Sequence, residues 1–233
     1  MFHLLLAIIY LSFISLGLPD GLLGAAWPTI YPELSVPVSH AGILFAIISG
    51  GTVVSSLLSD RLTFRLGTGR VTAIGVCITA AALFGFASSH SYPMLCLWAI
   101  PYGLGAGSVD ASLNNYVALH YTSRHMSWLH CMWGVGATVG PYIMGAVLSG
   151  GGHWSGGYRT EGFIQLALTA VLFLSLPLWK GRPKTSFRGC GQAASPEGGH
   201  RHPRRKADHG HLLLLLRTGA ERRPVGQLVS CPV

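Results

Sequence analysis

Between Arg70 and Asp110 the chain carries no Asp, Glu, Lys or Arg at all. Half of the 233 residues are apolar and only 10% are charged, against about a quarter charged in an ordinary soluble domain. An isolated charge in hydrocarbon is expensive, and a crossing helix needs about 20 residues, so uncharged stretches mark membrane spans. The stretch after Arg70 is too long for one crossing and holds Ser88, Ser89, His90, Ser91 and Pro93 in its middle. It predicts two helices joined by a tight turn.

The same reasoning gives six spans, over residues 3–31, 39–59, 71–87, 93–119, 130–149 and 158–179. The first is interrupted by Gly17, Pro19 and Gly21, and the fifth is closed by Gly150, Gly151 and Gly152. The fold class expected is an all-α membrane protein of six transmembrane helices. A secretory signal is disfavoured for the apolar opening, because no basic residue precedes it and further apolar spans follow.

The formal charge of +8 divides unevenly. Up to Trp179, Arg61, Arg65, Arg70, Arg124 and Arg159 balance Asp20, Glu33, Asp60, Asp110 and Glu161; the whole excess lies beyond. With a cytoplasmic N-terminus, the inner segments carry Arg61, Arg65, Arg70, Arg124, Lys180, Arg182 and Lys184, while the outer ones carry only Arg159. That asymmetry predicts this orientation, with Arg65 and Lys184 inside, Ser89 and Gly151 outside, and Glu33 and Glu161 as outer bystanders that the rule ignores. The expected location is the inner (plasma) membrane, in multi-pass form, with the lipid bilayer as a partner.

The first and fourth spans share a pattern. Gly17-Leu18-Pro19-Asp20-Gly21-Leu22-Leu23 and Gly107-Ser108-Val109-Asp110-Ala111-Ser112-Leu113 both read G-x-x-D, small, x, Leu. Counted from the expected start of each span, both carboxylates lie about 25 Å along their helices. Because the two helices enter from opposite faces, the six spans are expected to form a 3+3 inverted repeat.

The segment reached through Leu57, Leu58, Ser59, Asp60 and Arg61 and closed by Arg65, Gly67, Gly69 and Arg70 resembles the loop motif of the major facilitator superfamily. Two glycines of that motif are replaced here by Ser56 and Thr63. The resemblance implies half of a twelve-helix transporter, with Asp60, Arg61, Arg65 and Arg70 as a conformational latch at the cytoplasmic helix ends. Gly134, Gly136, Gly140, Pro141 and Gly145 resemble the G-x-x-x-G-P pattern of drug and proton antiporters in that superfamily, although such spacing is also plain helix-packing chemistry. The run from Gly105 through Asp110, Asn114, Asn115 and Tyr116 to His120, Arg124, His130 and Gly136 looks most like the fucose permease branch of sugar:proton symporters. That likeness implies Asp20 and Asp110 as proton-coupling residues, with Asn114 and Tyr116 as candidates for binding solute hydroxyls. The implied partners are a proton, a small polar solute and a missing C-terminal six-helix half. Asp20 also has a bland reading, as a cap on backbone amides freed beside Pro19, and Asp110 as a partner of Asn114 one turn on.

Other chemistries find little support. Gly103, Gly105 and Gly107 follow no strand and read as helix-contact positions instead of a phosphate loop. His120, His125 and His130 are five residues apart, about 140° around a helix, so no metal site is expected. The cysteines at 77, 96, 131, 190 and 231 show no paired spacing. No nucleophile stands beside a base, and neither enzymatic activity, a cofactor nor a nucleic-acid partner is expected.

The chain is thus divided into a transmembrane domain, 1–180, and a basic tail, 181–233, whose Arg, His, Gly and Pro content suits disorder. The tail also invites a second reading. Leucine codons read one base later, ahead of a C, give Phe, Ser, Tyr or Cys, and the shifted frame permits apolar residues onward through Leu228. The tail is read as a frameshifted, truncated continuation of the fold.

Overall fold

A computed structural model of the chain describes residues 2–179, and the readings of the tail lie outside the described residues. The regular structure is entirely helical over that range. The first span is split into α1 (Phe2–Gly17), a 3-10 turn (Leu18–Gly21) and α2 (Leu22–Glu33). There follow α3 (His40–Leu66), α4 (Thr68–Ala87), α5 (Tyr92–His120), α6 (Ser123–Ser149) and α7 (Trp154–Trp179). Taking α1 to α2 as one span, five of the six are long and apolar enough to cross a membrane by composition alone. The sixth, α5, has the length at 29 residues but carries Asp110, Asn114 and Asn115. It packs chiefly against α3 and α4, and much of its surface is protein-covered.

The interruption read from Gly17, Pro19 and Gly21 is present. Proline cannot donate to the helix ladder, and the chain tightens into i→i+3 geometry at that point. Three boundaries differ from the expectation. The second span continues past Ser59 to Leu66, so the basic loop holding Asp60, Arg61 and Arg65 is the last two turns of a helix. Nothing between Ser59 and Leu66 breaks a helix, and Arg65 in the last turn complements its dipole. The stop comes at Gly67, with φ of 84°, a value that favours glycine. The fifth span starts at Ser123 and not near His130, and the sixth at Trp154 and not Tyr158.

The buried side chains form two apolar clusters at opposite ends of the bundle. One gathers Leu22, Ile30, Leu44, Leu83, Leu95 and Met144; the other gathers Ile9, Phe13, Val76, Val109, Leu113 and Leu129. Between them, level with the 3-10 turn, lies a belt of polar groups. Buried Gln165 of α7 donates from Nε2 to Thr79 Oγ1 of α4 at 3.0 Å.

Helix contacts repeat the inverted symmetry. Gly17 of α1 lies directly against the backbone of Trp133 and Ala137 of α6, and its repeat mate Gly107 of α5 lies against Thr52 and Ser55 of α3. Each of these helices therefore packs, backbone to backbone, on the second helix of the opposite triplet. Thr52 Oγ1 lies 3.4 Å from the Gly103 carbonyl and Ser56 Oγ 3.4 Å from that of Gly107. Gly105 faces α4 instead, where an added Cβ would stand 2.8 Å from the Gly75 carbonyl oxygen. The three alternating glycines are thus contact surfaces for two different helices, as small residues commonly are in membranes.

At the end of the bundle where α2 finishes, Glu33 is no bystander. Its Oε2 accepts from Trp154 Nε1 at 2.6 Å and pairs with His153 Nε2 at 2.8 Å, fastening α2 to the start of α7. Among the described residues it is the one contact between an acid and a basic side chain at salt-bridge distance, an ion pair only with His153 protonated.

Two predictions follow from these placements. Ser89 is buried, so the outer label belongs on exposed His90. In a cysteine-free background, an impermeant thiol reagent on intact cells is expected to modify His90→Cys and spare Arg65→Cys; the reverse pattern overturns the orientation. Gly140 presses on the carbonyl of Leu18, whereas nothing lies within 4 Å of a Cβ at Gly145. Gly140→Val is expected to cost about 2 kcal/mol or more through overpacking, seen as a lower melting temperature in detergent, while Gly145→Ala melts at or above the parent.

Candidate functional site

Asp20 sits on the 3-10 turn, where the helix ladder is interrupted and the side chain can leave the first span. Its neighbours Leu18 and Pro19 are buried, but the Asp20 side chain is exposed. Its Oδ1 accepts from the hydroxyl of Tyr102 on α5 at 3.1 Å, and its Oδ2 from Trp133 Nε1 on α6 at 2.9 Å. Tyr102 is buried and Trp133 is 39% exposed. A carboxylate deep along a membrane-crossing helix, held by donors from two others and still open on one side, can accept a proton or pair with a solute's donors.

Asp110 is half-buried on α5 and accepts from Asn114 Nδ2 at 3.0 Å, one turn further on. The expected Asp110–Asn114 bond is thus present, and it does not exclude a second role. The two repeat-related carboxylates thus differ in how they are held, Asp20 by side chains of two other helices and Asp110 by a side chain of its own.

Tyr116 lies elsewhere. It is about 200° around α5 from Asn114, is buried, stacks on His120 with centroids 4.3 Å apart, and meets Trp179 at 5.1 Å. Two residues' separation turns its side chain to another face of the helix than Asn114. Asp60, Arg61, Arg65 and Arg70 are all exposed, and the ion pairs of a closed latch are not formed among the described residues.

Several residues of the site escaped the sequence reading. Tyr102 and Trp133 meet Asp20 only through tertiary packing. Glu161, expected at the outer surface, is 1% exposed on α7, and neither of its carboxyl oxygens has a hydrogen-bond partner among the described residues. A signal for it existed: Tyr158, Glu161, Gln165, Thr169 and Leu172 follow three- and four-residue steps, one stripe of a helix, and all five are buried.

The family model described as Major Facilitator Superfamily matches residues 9–219. The chain is 28% identical over 197 residues to the uncharacterized transporter y4wD of Sinorhizobium fredii, covering 77% of this chain and 49% of that protein. It is 27% identical over 168 residues to the bypass of stop codon protein 6 of Saccharomyces cerevisiae, covering 70% and 33%. With the quinolone resistance protein NorA of Staphylococcus aureus it shares 25% over 141 residues, covering 59% and 35%. The chain spans about half or less of the length of these relatives.

Tyr116 is buried among rings of α5 and α7. Tyr116→Ala is expected to lower stability by about 3 kcal/mol, as buried aromatic truncations do, measured as a fall in melting temperature, whereas a solute-contact residue at an open site would leave it unchanged.

Proposed function

We propose that this chain, which belongs to the Major Facilitator Superfamily, supplies the six-helix half of a proton-coupled secondary transporter for a small polar, sugar-like solute. The observation that carries this reading is the Asp20 site: an exposed carboxylate at the level of the polar belt, between the two apolar clusters, flanked by a partly exposed indole. Intramembrane acids are costly and mark ion or solute pathways by default. A planar aromatic next to a hydrogen-bonding carboxylate suits a sugar, which presents both apolar ring faces and hydroxyl donors. Asp110 and Asn114 line the repeat-related position on α5, and Asn114 is the candidate there for a solute hydroxyl.

The open side of the site is where a second half belongs. Helices α3 and α6 are the most exposed of the spans, with Val53, Val54 and Leu57 of α3 and Val135, Val139 and Tyr142 of α6 uncovered. In transporters built from two repeats, the solute binds at the repeat interface near the midplane, and one half rocks against the other. In this reading Asp60, Arg61, Arg65 and Arg70 form their pairs in the alternate state, which is why they stand apart in this one. The cytoplasmic N-terminus and inner-membrane location belong to the same proposal.

A second reading, antiport of an organic cation, is favoured by the likeness to a quinolone resistance protein; an exposed carboxylate between aromatic rings also suits a cation. The test joins the six helices to a matching second half in cells and follows labelled monosaccharides and ethidium under an imposed pH gradient. Inward, proton-driven sugar accumulation is expected, abolished in Asp110→Asn with folding and exchange retained. Ethidium extrusion without sugar uptake establishes the second reading instead. Normal pH-driven accumulation in both Asp20→Asn and Asp110→Asn would remove both carboxylates from coupling.

A further inference from the structure

Glu161 lies on α7, two turns after Trp154, in the interior of the bundle. Its Oε1 is 2.9 Å from the point where Gly140 would carry a Cβ, and the same glycine receives the Leu18 carbonyl, the first residue of the 3-10 turn. The carboxyl is therefore sealed behind the contact that seats the turn, while Asp20, two residues after Leu18, opens to the uncovered face. The nearest titratable groups are Asp20, two residues beyond the Leu18 carbonyl that meets the same glycine, Tyr102 of α5, which donates its hydroxyl to Asp20 Oδ1 at 3.1 Å, and Tyr158, one turn earlier on its own helix. The elements packed against it otherwise present Gly140 and Met144 from α6 and Phe84 from α4, none of which carries charge. Among the described residues no basic side chain forms an ion pair or hydrogen bond with its carboxyl.

An ionised carboxylate in this position would have neither a donor nor a counter-charge, which is the costliest state for a buried acid. The neutral acid needs far less. A second negative charge in the same interior as Asp20 is also opposed by like-charge repulsion, so the two acids are better accommodated with one proton between them than with none. We propose that Glu161 carries a proton in this conformation and forms, with Asp20, a proton-sharing pair in which one member is sealed in the bundle and the other opens to the solute face.

The proposal deepens the reading of Asp20 as a coupling carboxylate and rests on it. In the transfer, the O–H bond of Glu161 breaks, the proton binds the Asp20 carboxylate, and the negative charge moves to Glu161. The pair holds one proton and one negative charge throughout. Movement of the 3-10 turn along α6, at the contacts of Gly21 with Pro141 and of Leu18 with Gly140, is the motion that exposes one acid to the other. Glu161 thereby becomes a store that fills or empties only when the break shifts.

The test is infrared difference spectroscopy on the full chain in lipid vesicles. At neutral pH the parent is expected to show the carbonyl stretch of a protonated carboxyl, lost in Glu161→Gln and kept in Asp20→Asn. The pH at which that band disappears is expected to move in Asp20→Asn. Glu161→Gln should also melt with the parent, because a neutral amide of the same shape replaces a neutral acid. Absence of the band in the parent, its persistence in Glu161→Gln, or a large loss of stability in that variant overturns the stored proton. An unmoved titration in Asp20→Asn overturns the pairing. The underlying reading fails separately: uptake that ignores the pH gradient, with the band behaving as expected, removes proton-coupled transport and leaves the protonated Glu161 standing.

Discussion

Two helix backbones can come into direct contact in a membrane only where side chains are missing from both, and the seating of α6 on the first span depends on this. Gly17 and Gly21 on one side meet Trp133, Ala137 and Pro141 on the other, while Gly136 and Gly140 receive the carbonyls of Ile14 and Leu18. No hydrophobic driving force separates such a contact from lipid, so its stability comes from close packing. The interrupted turn would otherwise leave backbone groups to hydrocarbon, which has nothing to offer them. Pressed against a glycine-lined ridge, the turn persists, and with it the position of Asp20. Its donor Trp133 lies on that same ridge, so the packing and the polar site are parts of one contact.

The mirrored contact of α5 on α3 is softened by hydroxyls. Thr52 and Ser55 lie against Gly107 where Trp133 and Ala137 lie against Gly17, and Thr52 and Ser56 add hydroxyl contacts to the carbonyls of Gly103 and Gly107. The repeat has therefore kept its architecture while its two carboxylates diverged. Asp20 is held by a phenol and an indole from other helices; Asp110 is held by an amide on its own. An acid gripped by three helices senses their relative movement, and an acid gripped within one helix travels with it. The pair is in that sense a reporter and a passenger.

What could be read from the chain alone was governed by the range of the interaction concerned. The cost of charge in lipid acts on each residue singly, so the six spans stood out, and Pro19 with its glycines marked the break because proline acts on its own backbone. Helix ends were displaced wherever no breaker lay at the expected point, as from Ser59 to Leu66 and from His130 back to Ser123. Glu161 was misplaced for a related reason. Grouped with Arg159 at the outer end of the span, the acid was counted with the surface, whereas its place in the stripe Tyr158, Glu161, Gln165, Thr169 and Leu172 puts it on the buried face of α7. Tyr102 and Trp133 belong to Asp20 only across 82 and 113 residues, and no local pattern encodes such a meeting. Tyr116 is near Asn114 in sequence but on another face of α5, a difference that the helical turn sets.

Gly67 joins α3 to α4 by a single residue: its amide closes the last turn of the one helix onto Thr63 at 2.9 Å, and its carbonyl accepts from Val71 in the first turn of the other at 3.2 Å. Such a joint has almost no slack. Tilting α3, which is the most uncovered of the spans, must swing α4 with it as an elbow swings a forearm. Helix α4 in turn lies along α7, bonded through Thr79 and Gln165. A push on the outermost helix is thus delivered, by leverage alone, to the helix that carries the most deeply enclosed acid of the bundle.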